Sequence, residues 1–214
     1  MGKLFGYSVR NLICILGISL ATMSLVATSA QAAQTIVVFG DSLSAAYGIQ
    51  QSEGWVTLLQ NKLKQENLDY KVVNSSISGE TTSGGLGRFK AMLTTHKPHI
   101  VVIELGANDG LRGLSVKEMQ NNLNSMIGQA ESANAKVVLL GMKIPPNYGI
   151  QYTQQFGETY TNLAKKYDIP LVPFFLDGVA GNSSLVLDDG LHPKAVAQAR
   201  LLENVWPTLE KILK

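Results

Sequence analysis

TIVVFGDSLS, residues 35–44, joins a continuously apolar run to a short polar turn. An apolar run that does not alternate with polar residues is typical of a strand that helices cover on both faces of a sheet. Four later runs are equally rich in Val, Ile or Leu: Tyr70 to Asn74, His99 to Leu105, Lys136 to Met142 and Ile169 to Phe174. Together with Thr35 to Phe39, these runs predict five buried strands in a parallel sheet.

Stretches with helical spacing of apolar residues lie between and after these strands. They are marked by Trp55, Leu58, Leu59 and Leu63; by Met119, Leu123, Met126 and Ile127; by Tyr160, Leu163 and Ala164; and by Ala195, Ala199, Leu202, Val205, Leu209 and Ile212. Strands that alternate with helices imply right-handed crossovers. The sequence therefore predicts an α/β fold, a single-domain three-layer α/β/α sandwich around a doubly wound, five-stranded parallel sheet.

Glycine and proline cluster in the segments that follow the strands. They stand at Gly40, Gly79, Gly84-Gly85, Gly106, Gly110, Pro145-Pro146 and Gly190. This composition predicts loops at these positions. Because ligands of open α/β sheets bind outside the carboxyl ends of the strands, these loops are where chemistry is expected.

Residues 1–32 differ in character from the remainder of the chain. Lys3 and Arg10 are their only charges, an apolar run extends from Leu12 to Ala27, and Ala30-Gln31-Ala32 closes the segment. This order predicts a secretory signal peptide over 1–32, cleaved between Ala32 and Ala33, and a periplasmic or secreted domain over 33–214. A retained membrane anchor is the alternative, but the run is shorter than the roughly 20 apolar residues that a spanning helix needs. We therefore expect no stable membrane insertion after cleavage.

Charge and cysteine content argue against several classes of function. The chain has 18 basic and 16 acidic residues, and loss of Lys3 and Arg10 with the signal would leave the two kinds equal. A neutral protein without a run of Lys or Arg is not expected to bind nucleic acid. Cys14, the single cysteine, lies in the predicted signal, so the mature chain would have neither a disulfide nor a thiolate metal site. Neither metal-ligand spacing nor a phosphate-binding loop occurs, so we predict no metal and no other cofactor.

Ser42 stands in the turn after the first strand, in Gly40-Asp41-Ser42-Leu43-Ser44. At a strand-to-helix turn, a serine hydroxyl can be exposed over the sheet while its backbone N–H lies at a helix start, where negative charge is favoured. Ser42 is thus a candidate nucleophile. The alternative is that Ser42 or Asp41 merely caps a helix, and the segment lacks the G-x-S-x-G spacing of the nucleophile elbow.

The segment DDGLHP, residues 188–193, contains the partners that a nucleophilic serine requires. Serine needs an imidazole to accept its proton, and the imidazole needs a carboxylate to orient it and offset its charge. Asp189 stands three residues before His192, and Gly190 between them allows a tight turn with both side chains on one side. The alternative is an ordinary Asp-Gly turn followed by a loop histidine.

Two further loops offer hydrogen-bond donors of the kind that stabilise an oxyanion. Gly79 follows the second strand, and its N–H can approach a ligand without hindrance from a side chain. Asn108 follows the third strand and offers a neutral amide. A simple turn at Gly79 and a helix cap at Asn108 are the alternatives. Four such loops at strand ends nevertheless favour a common site.

The four segments resemble, in order and context, the four sequence blocks of the GDSL, or SGNH, hydrolases. They are Gly40 to Leu43, Gly79, Gly106 to Asp109 and Asp189 to His192. The resemblance implies a flavodoxin-like SGNH hydrolase fold, a catalytic triad of Ser42, Asp189 and His192, and an oxyanion hole made by Ser42, Gly79 and Asn108. It also selects Asp189 over Asp188, since the acid of this family lies three residues before the histidine.

A closer resemblance is to the periplasmic thioesterase I, protease I and lysophospholipase subgroup of this family. Residues 76–81, 104–113, 145–149 and 173–175 carry it. It implies a serine esterase that hydrolyses carboxylic esters or thioesters of acyl chains, such as lysophospholipids, through an acyl-enzyme. We expect this enzyme to be a monomer. Members of the subgroup often have a second glycine where this chain has Ala107, whose methyl group should narrow the floor of the pocket.

The segment from Met142 to Tyr152 is the predicted wall of an acyl-binding groove, because it is too apolar for a plain solvent loop. Ile144, Pro145 and Tyr148 are the predicted substrate contacts. Packing of these side chains on the adjacent helix is the alternative. Two rival functions stay open at this point: a carbohydrate O-deacetylase or short-chain arylesterase with the same triad, and a flavodoxin-like binding module without catalysis.

Overall fold

A five-stranded parallel sheet forms the centre of the described part of the chain. The structure is a computed structural model that describes residues 1–3 and 34–213, so Cys14 and the apolar run and cleavage site of the predicted signal lie outside the described residues. The strands are β1 (Gln34–Gly40), β2 (Tyr70–Asn74), β3 (Ile100–Glu104), β4 (Lys136–Leu140) and β5 (Leu171–Val172), in the order β2-β1-β3-β4-β5. The predicted parallel sheet is confirmed, although β5 is shorter than the apolar run that contains it.

β1 and β3 lie side by side in the middle of the sheet. In their parallel register, Val37 lies opposite Val101 and Val38 opposite Val102, and all four side chains are fully buried. Helices cover both faces of these strands, which explains why their sequences are continuously apolar rather than alternating.

Within residues 34–213, six α-helices surround the sheet. They are α1 (Trp55–Gln65), α2 (Thr82–His96), α3 (Ala107–Leu111), α4 (Val116–Ser132), α5 (Ile150–Tyr167) and α6 (Gln198–Leu209). α1 packs against α6, whereas α4 packs against both α2 and α5. The chain crosses the sheet in one direction from β1 to β2 and in the other direction from β3 to β5. Right-handed crossovers therefore place the pair α1 and α6 on one face of the sheet and α2, α4 and α5 on the other face. The predicted three-layer sandwich is confirmed.

The helix α2 corrects one expectation from the sequence. The sequence predicts a loop at Gly84-Gly85, but both glycines lie in the first turn of α2, where the Thr81 hydroxyl accepts a hydrogen bond from the Gly84 N–H at 3.3 Å. Gly85 faces the sheet, and a Cβ built on it would lie 2.6 Å from Leu105 Cδ1. The glycine therefore permits close packing of the helix on the sheet instead of breaking the helix.

The strand order reverses between β1 and β3. The loop after β1 leads to helices on one face and the loop after β3 to helices on the other, so a crevice forms at the carboxyl ends of these two strands. Ser42 follows β1, and Asn108 lies in α3 just after β3. The topology thus brings candidate residues from distant parts of the sequence to one edge of the sheet. No helix among the described residues is both long and apolar enough to cross a membrane.

Candidate active site

A hydrogen-bonded row of three side chains lies at the carboxyl end of β1. The Ser42 Oγ lies 2.9 Å from His192 Nε2, and His192 Nδ1 lies 2.6 Å from Asp189 Oδ2. Ser42 and His192 are 150 positions apart in the sequence. The structure therefore brings together the three side chains that the sequence analysis selects. In this order, the imidazole can accept the hydroxyl proton while the carboxylate balances the charge that results.

A tight turn holds the Asp189 carboxylate in place. Its Oδ1 accepts hydrogen bonds from the backbone N–H groups of Leu191, at 2.8 Å, and His192, at 3.0 Å. Gly190 within the turn has a φ of 72°, which glycine adopts without steric cost. The N–H groups of His192 and Leu191, and then the imidazole, lower the pKa of Asp189 to about 2. Asp189 is therefore ionised at neutral pH, as the compensation of an imidazolium requires.

Tyr47 covers one face of the imidazole, and no sequence pattern singles it out. Its ring centroid lies 4.4 Å from that of His192, with the two planes tilted by 41°. The Tyr47 N–H donates to the Ser42 carbonyl oxygen at 3.3 Å, so both residues belong to one turn. Nearness to Ser42 in the sequence is the only signal that points to this tyrosine, and it becomes informative only once His192 is placed.

Asn108 and Gly79, the predicted oxyanion donors, are linked through a third residue. The Asn108 Nδ2 donates to Asp41 Oδ2 at 3.0 Å, which leaves the second hydrogen of that nitrogen for a ligand. Arg112 Nη2 donates to the Gly79 carbonyl oxygen at 2.9 Å and to Asn108 Oδ1 at 3.4 Å. Asn108 and Ser42 line the same cavity, whereas Gly79 lies outside its lining and is connected to Asn108 by the guanidinium.

Two fully buried carboxyl groups stand at the ends of β1 and β3. Glu104 Oε2 accepts hydrogen bonds from the Asp41 N–H at 3.2 Å and from the Ser44 hydroxyl at 2.7 Å. Burial raises the pKa of Asp41 to about 6, although hydrogen bonds to its carboxylate act in the opposite direction. Burial, followed by the neighbouring Asp41 charge, raises the pKa of Glu104 well above its usual range. Glu104 thus supports the turn after β1 as a hydrogen-bond acceptor.

A mostly apolar cavity of about 460 Å³ opens beside Ser42 and His192. Its volume falls within the range of roughly 300–1,000 Å³ that is common for small-molecule sites. Ala107 also lines it, so its methyl group lies where the sequence analysis expects a narrowing. The apolar part of the lining consists mainly of Leu43, Leu111, Met142, Ile144, Pro145, Phe174 and Leu176.

The structure places two of the three predicted substrate contacts at this cavity. Ile144 and Pro145 line it, but Tyr148 does not. The Tyr148 hydroxyl donates to the Leu111 carbonyl oxygen at 2.8 Å, and its ring stacks on Tyr152. Because its polar end is bonded to the last residue of α3, Tyr148 fastens the loop after β4 and does not face the cavity.

Comparisons with known proteins show which family the chain belongs to. The sequence model of the GDSL-like Lipase/Acylhydrolase family matches residues 38–200. Esterase TesA of Pseudomonas aeruginosa is 53% identical over 87% of this chain and 92% of its own length. Thioesterase 1/protease 1/lysophospholipase L1 of Escherichia coli is 41% identical over 86% of this chain and 87% of its own length.

A solved structure extends the similarity to three dimensions. The psychrotrophic esterase EstA from Pseudoalteromonas sp., in a crystal structure inhibited by monoethylphosphonate, has a TM-score of 0.80 and 45% identity, over 83% of this chain and 97% of EstA. The resemblance noted in the sequence is thereby confirmed. With the family model, these relatives and the shared fold in agreement, the chain belongs to the GDSL-like lipase/acylhydrolase family and is a hydrolase.

Proposed function

We propose that this chain is a serine esterase that hydrolyses carboxylic esters and thioesters of acyl chains through an acyl-enzyme. The observation that carries the proposal is the row of Ser42, His192 and Asp189, at 2.9 and 2.6 Å, beside an apolar cavity. An activated hydroxyl next to an apolar space suits a substrate whose carbonyl carbon carries a hydrocarbon chain.

The first half of the reaction forms the acyl-enzyme. His192 Nε2 accepts the proton of Ser42 Oγ while Oγ bonds to the carbonyl carbon, and Asp189 balances the imidazolium charge. The carbonyl oxygen becomes an oxyanion that accepts hydrogen bonds from the N–H groups of Ser42 and Gly79 and from Asn108 Nδ2. When the carbon–oxygen or carbon–sulfur bond breaks, His192 returns its proton to the departing alcohol or thiol.

The second half releases the acid. A water molecule gives a proton to His192 Nε2 as its oxygen attacks the acyl carbon, and the oxyanion again accepts the same hydrogen bonds. Cleavage of the bond to Ser42 Oγ yields the carboxylic acid, and His192 returns the proton to the serine. No step requires a metal or a cofactor.

The acyl chain occupies the apolar cavity, where Ile144 and Pro145 contact it. Relatives named esterase and thioesterase 1/protease 1/lysophospholipase L1 support an acyl ester as substrate. Residues 1–32 form a signal peptide and the mature enzyme is periplasmic or secreted, whereas acyl-CoA is a cytosolic metabolite. Lysophospholipids and other small lipid esters are therefore the substrates in the cell. The mass of the exported protein tests this location, because it should correspond to a chain that begins at Ala33.

A chain-length series tests the proposed substrate class. Nitrophenyl esters from acetyl to palmitoyl, together with a lysophospholipid, are offered to the wild type and to Ser42→Ala. Wild-type kcat/KM should increase beyond the acetyl ester, and Ser42→Ala should lose about a million-fold in kcat, as in other triad hydrolases. A preference for acetyl esters would favour a deacetylase instead, and an active Ser42→Ala would contradict the mechanism.

Ile144→Ala probes the cavity, with Ile150→Ala as its matched control. Ile144 lines the cavity, while Ile150, the first residue of α5, is 84% exposed. Ile144→Ala should lower kcat/KM for long acyl chains by about tenfold and leave the acetyl ester nearly unchanged, because only long chains reach the lost contact. Equal losses for all chain lengths, or an equal effect of Ile150→Ala, would show that the cavity does not hold the acyl chain.

A further inference from the structure

The Asn108 side-chain amide lies between groups of opposite charge. Its Nδ2 donates to the Asp41 carboxyl group at 3.0 Å, and its Oδ1 accepts from the Arg112 guanidinium at 3.4 Å. The two ends of an asparagine amide have nearly the same shape, but one end donates hydrogen bonds and the other accepts them. A carboxylate at one end and a guanidinium at the other therefore select one of the two possible orientations, the one with Nδ2 next to Asp41.

The same guanidinium also holds the second loop of the site. Arg112 Nη2 donates to the Gly79 carbonyl oxygen at 2.9 Å. In residues 34–213, no other side chain hydrogen-bonds the Gly79 backbone. Gly79 has a φ of 79° in a turn that the Glu80 N–H closes by donating to the Ile77 carbonyl oxygen at 3.1 Å, so Arg112 is a second restraint on this turn. Arg112 thus connects the turn after β2 to α3, the two segments that carry Gly79 and Asn108.

We infer that Arg112 is a positioning residue for the oxyanion hole, where it acts together with Asp41 on the Asn108 amide and, through the Gly79 carbonyl oxygen, on the turn after β2. This inference rests on the proposed function. Arg112 is exposed and follows α3, and its hydrogen bonds go to Gly79 and Asn108 rather than to the nucleophile or the imidazole. Its contribution is the orientation of two donors whose hydrogen bonds strengthen as negative charge develops on the substrate carbonyl.

The expected signature is a loss of kcat with little change of KM. Complete removal of one oxyanion donor lowers kcat roughly 100- to 1,000-fold in other hydrolases. Arg112→Met leaves both donors in the chain but releases their restraint, so kcat on nitrophenyl butyrate should fall about 10- to 100-fold, with KM within about twofold of the wild-type value. Arg112→Lys should recover part of this loss, because an ammonium group can bond one of the two carbonyl oxygens. Arg200→Met, on α6, is the matched control and should retain wild-type kcat.

A double-mutant cycle separates positioning from a general structural role. In the Asn108→Ala background, Arg112→Met should reduce kcat by a factor that is at least about threefold smaller than in the wild-type background, since only its contact to Gly79 remains to be lost. The same factor in both backgrounds would overturn the inference. So would an unchanged kcat in Arg112→Met, or a KM increase confined to phosphate-bearing substrates, which would make Arg112 a headgroup contact instead.

Ser42→Ala in the same assay distinguishes failure of this inference from failure of the proposed function. If Ser42→Ala is inactive and Arg112→Met has wild-type kcat, the esterase mechanism holds and Arg112 has no positioning role. If Ser42→Ala keeps wild-type activity, the mechanism itself is wrong, and the inference about the oxyanion hole fails with it.

Discussion

Asp188 and Asp189 are adjacent acidic residues with different surroundings. Both are exposed, but Asp189 accepts two backbone hydrogen bonds and contacts the His192 imidazole, whereas within residues 34–213 the Asp188 carboxylate accepts no hydrogen bond. Asp189→Asn keeps the size of the side chain but removes the charge and favours the imidazole tautomer that cannot accept the serine proton. We expect kcat to fall on the order of 1,000- to 10,000-fold, as for the equivalent change in other serine hydrolases.

Asp188→Asn is the control for that change. It removes the same charge from the neighbouring position, and steady-state kcat on nitrophenyl butyrate should stay within about twofold of wild type. Equal losses in the two variants would mean that the carboxylate at 189 has no special role. A loss confined to Asp188→Asn would mean that Asp188, and not Asp189, is the acid of the triad.

Asp41 connects pH to the orientation of Asn108. Its carboxylate accepts the amide hydrogen bond, and burial raises its pKa from the ordinary value of 3.8 to about 6. As the pH falls through 6, Asp41 binds a proton and becomes a poorer acceptor, so kcat should decline. The groups that face this carboxyl are the Leu43 N–H, Asn108, His192, Asp109 and Glu104.

The pH profile of Asp41→Asn tests this link. The variant should have a lower kcat at pH 8 and a shallower decline toward pH 5 than the wild type, because one titrating group has been removed. The contribution of Asp41 to the free energy of unfolding should change with pH in the opposite direction to kcat. Since the folded-state pKa is raised, the contribution of Asp41 to stability is full below pH 3.8 and is lost as the pH rises through 6. Profiles of identical shape would exclude Asp41 as the titrating group.

At the level of elements, α2 gives a contrast between two glycines of one helix. A Cβ at Gly85 would lie 2.6 Å from Leu105 Cδ1 and 3.2 Å from Phe39 Cε1, while a Cβ at Gly87 would meet nothing within 4 Å. Gly85→Ala should therefore destabilise the protein by about 1–3 kcal/mol through overpacking. Gly87→Ala should stabilise it by about 0.5–1 kcal/mol, because alanine loses less backbone entropy in a helix.

Urea unfolding monitored by circular dichroism measures both variants. The free energies of unfolding should change in opposite directions, with similar m-values. If both alanines stabilise the protein, α2 does not pack as closely on the sheet at Gly85 as the structure shows. If both destabilise it, the space around Gly87 is not open as the structure shows.

The same helix shows where sequence patterns lose their predictive value. The strands β1, β3 and β4 are identified from the sequence because burial on both faces leaves each of them a nearly unbroken apolar run. In α2, glycines stand in the first turn and conceal the helical spacing. Gly85 allows the helix to approach Phe39 and Leu105 closely. Because these two residues lie far from Gly85 in the sequence, the local sequence pattern does not reveal this role.

For the whole molecule, the sequence predicts the candidate catalytic residues but not all of the residues that position them. Ser42 and Asn108 follow strand ends, and Asp189 and His192 lie in the segment between β5 and α6. All four stand in recognisable motifs, and the fold brings them together. Tyr47, Arg112 and Glu104 become relevant only through neighbours that the fold supplies: an imidazole, two loops and a buried turn. Tyr148 is the opposite case. The apolar segment around it predicts a substrate contact, but its hydroxyl donates to the Leu111 carbonyl oxygen at the end of α3.

The most direct test of the central claim is covalent labelling of the nucleophile. A fluorophosphonate probe is incubated with wild type, Ser42→Ala and His192→Ala, and intact mass and peptide mapping locate the adduct. We expect one adduct per wild-type chain, on Ser42, with none in Ser42→Ala and strongly slowed labelling in His192→Ala. Labelling of another residue, or rapid labelling without His192, would contradict it.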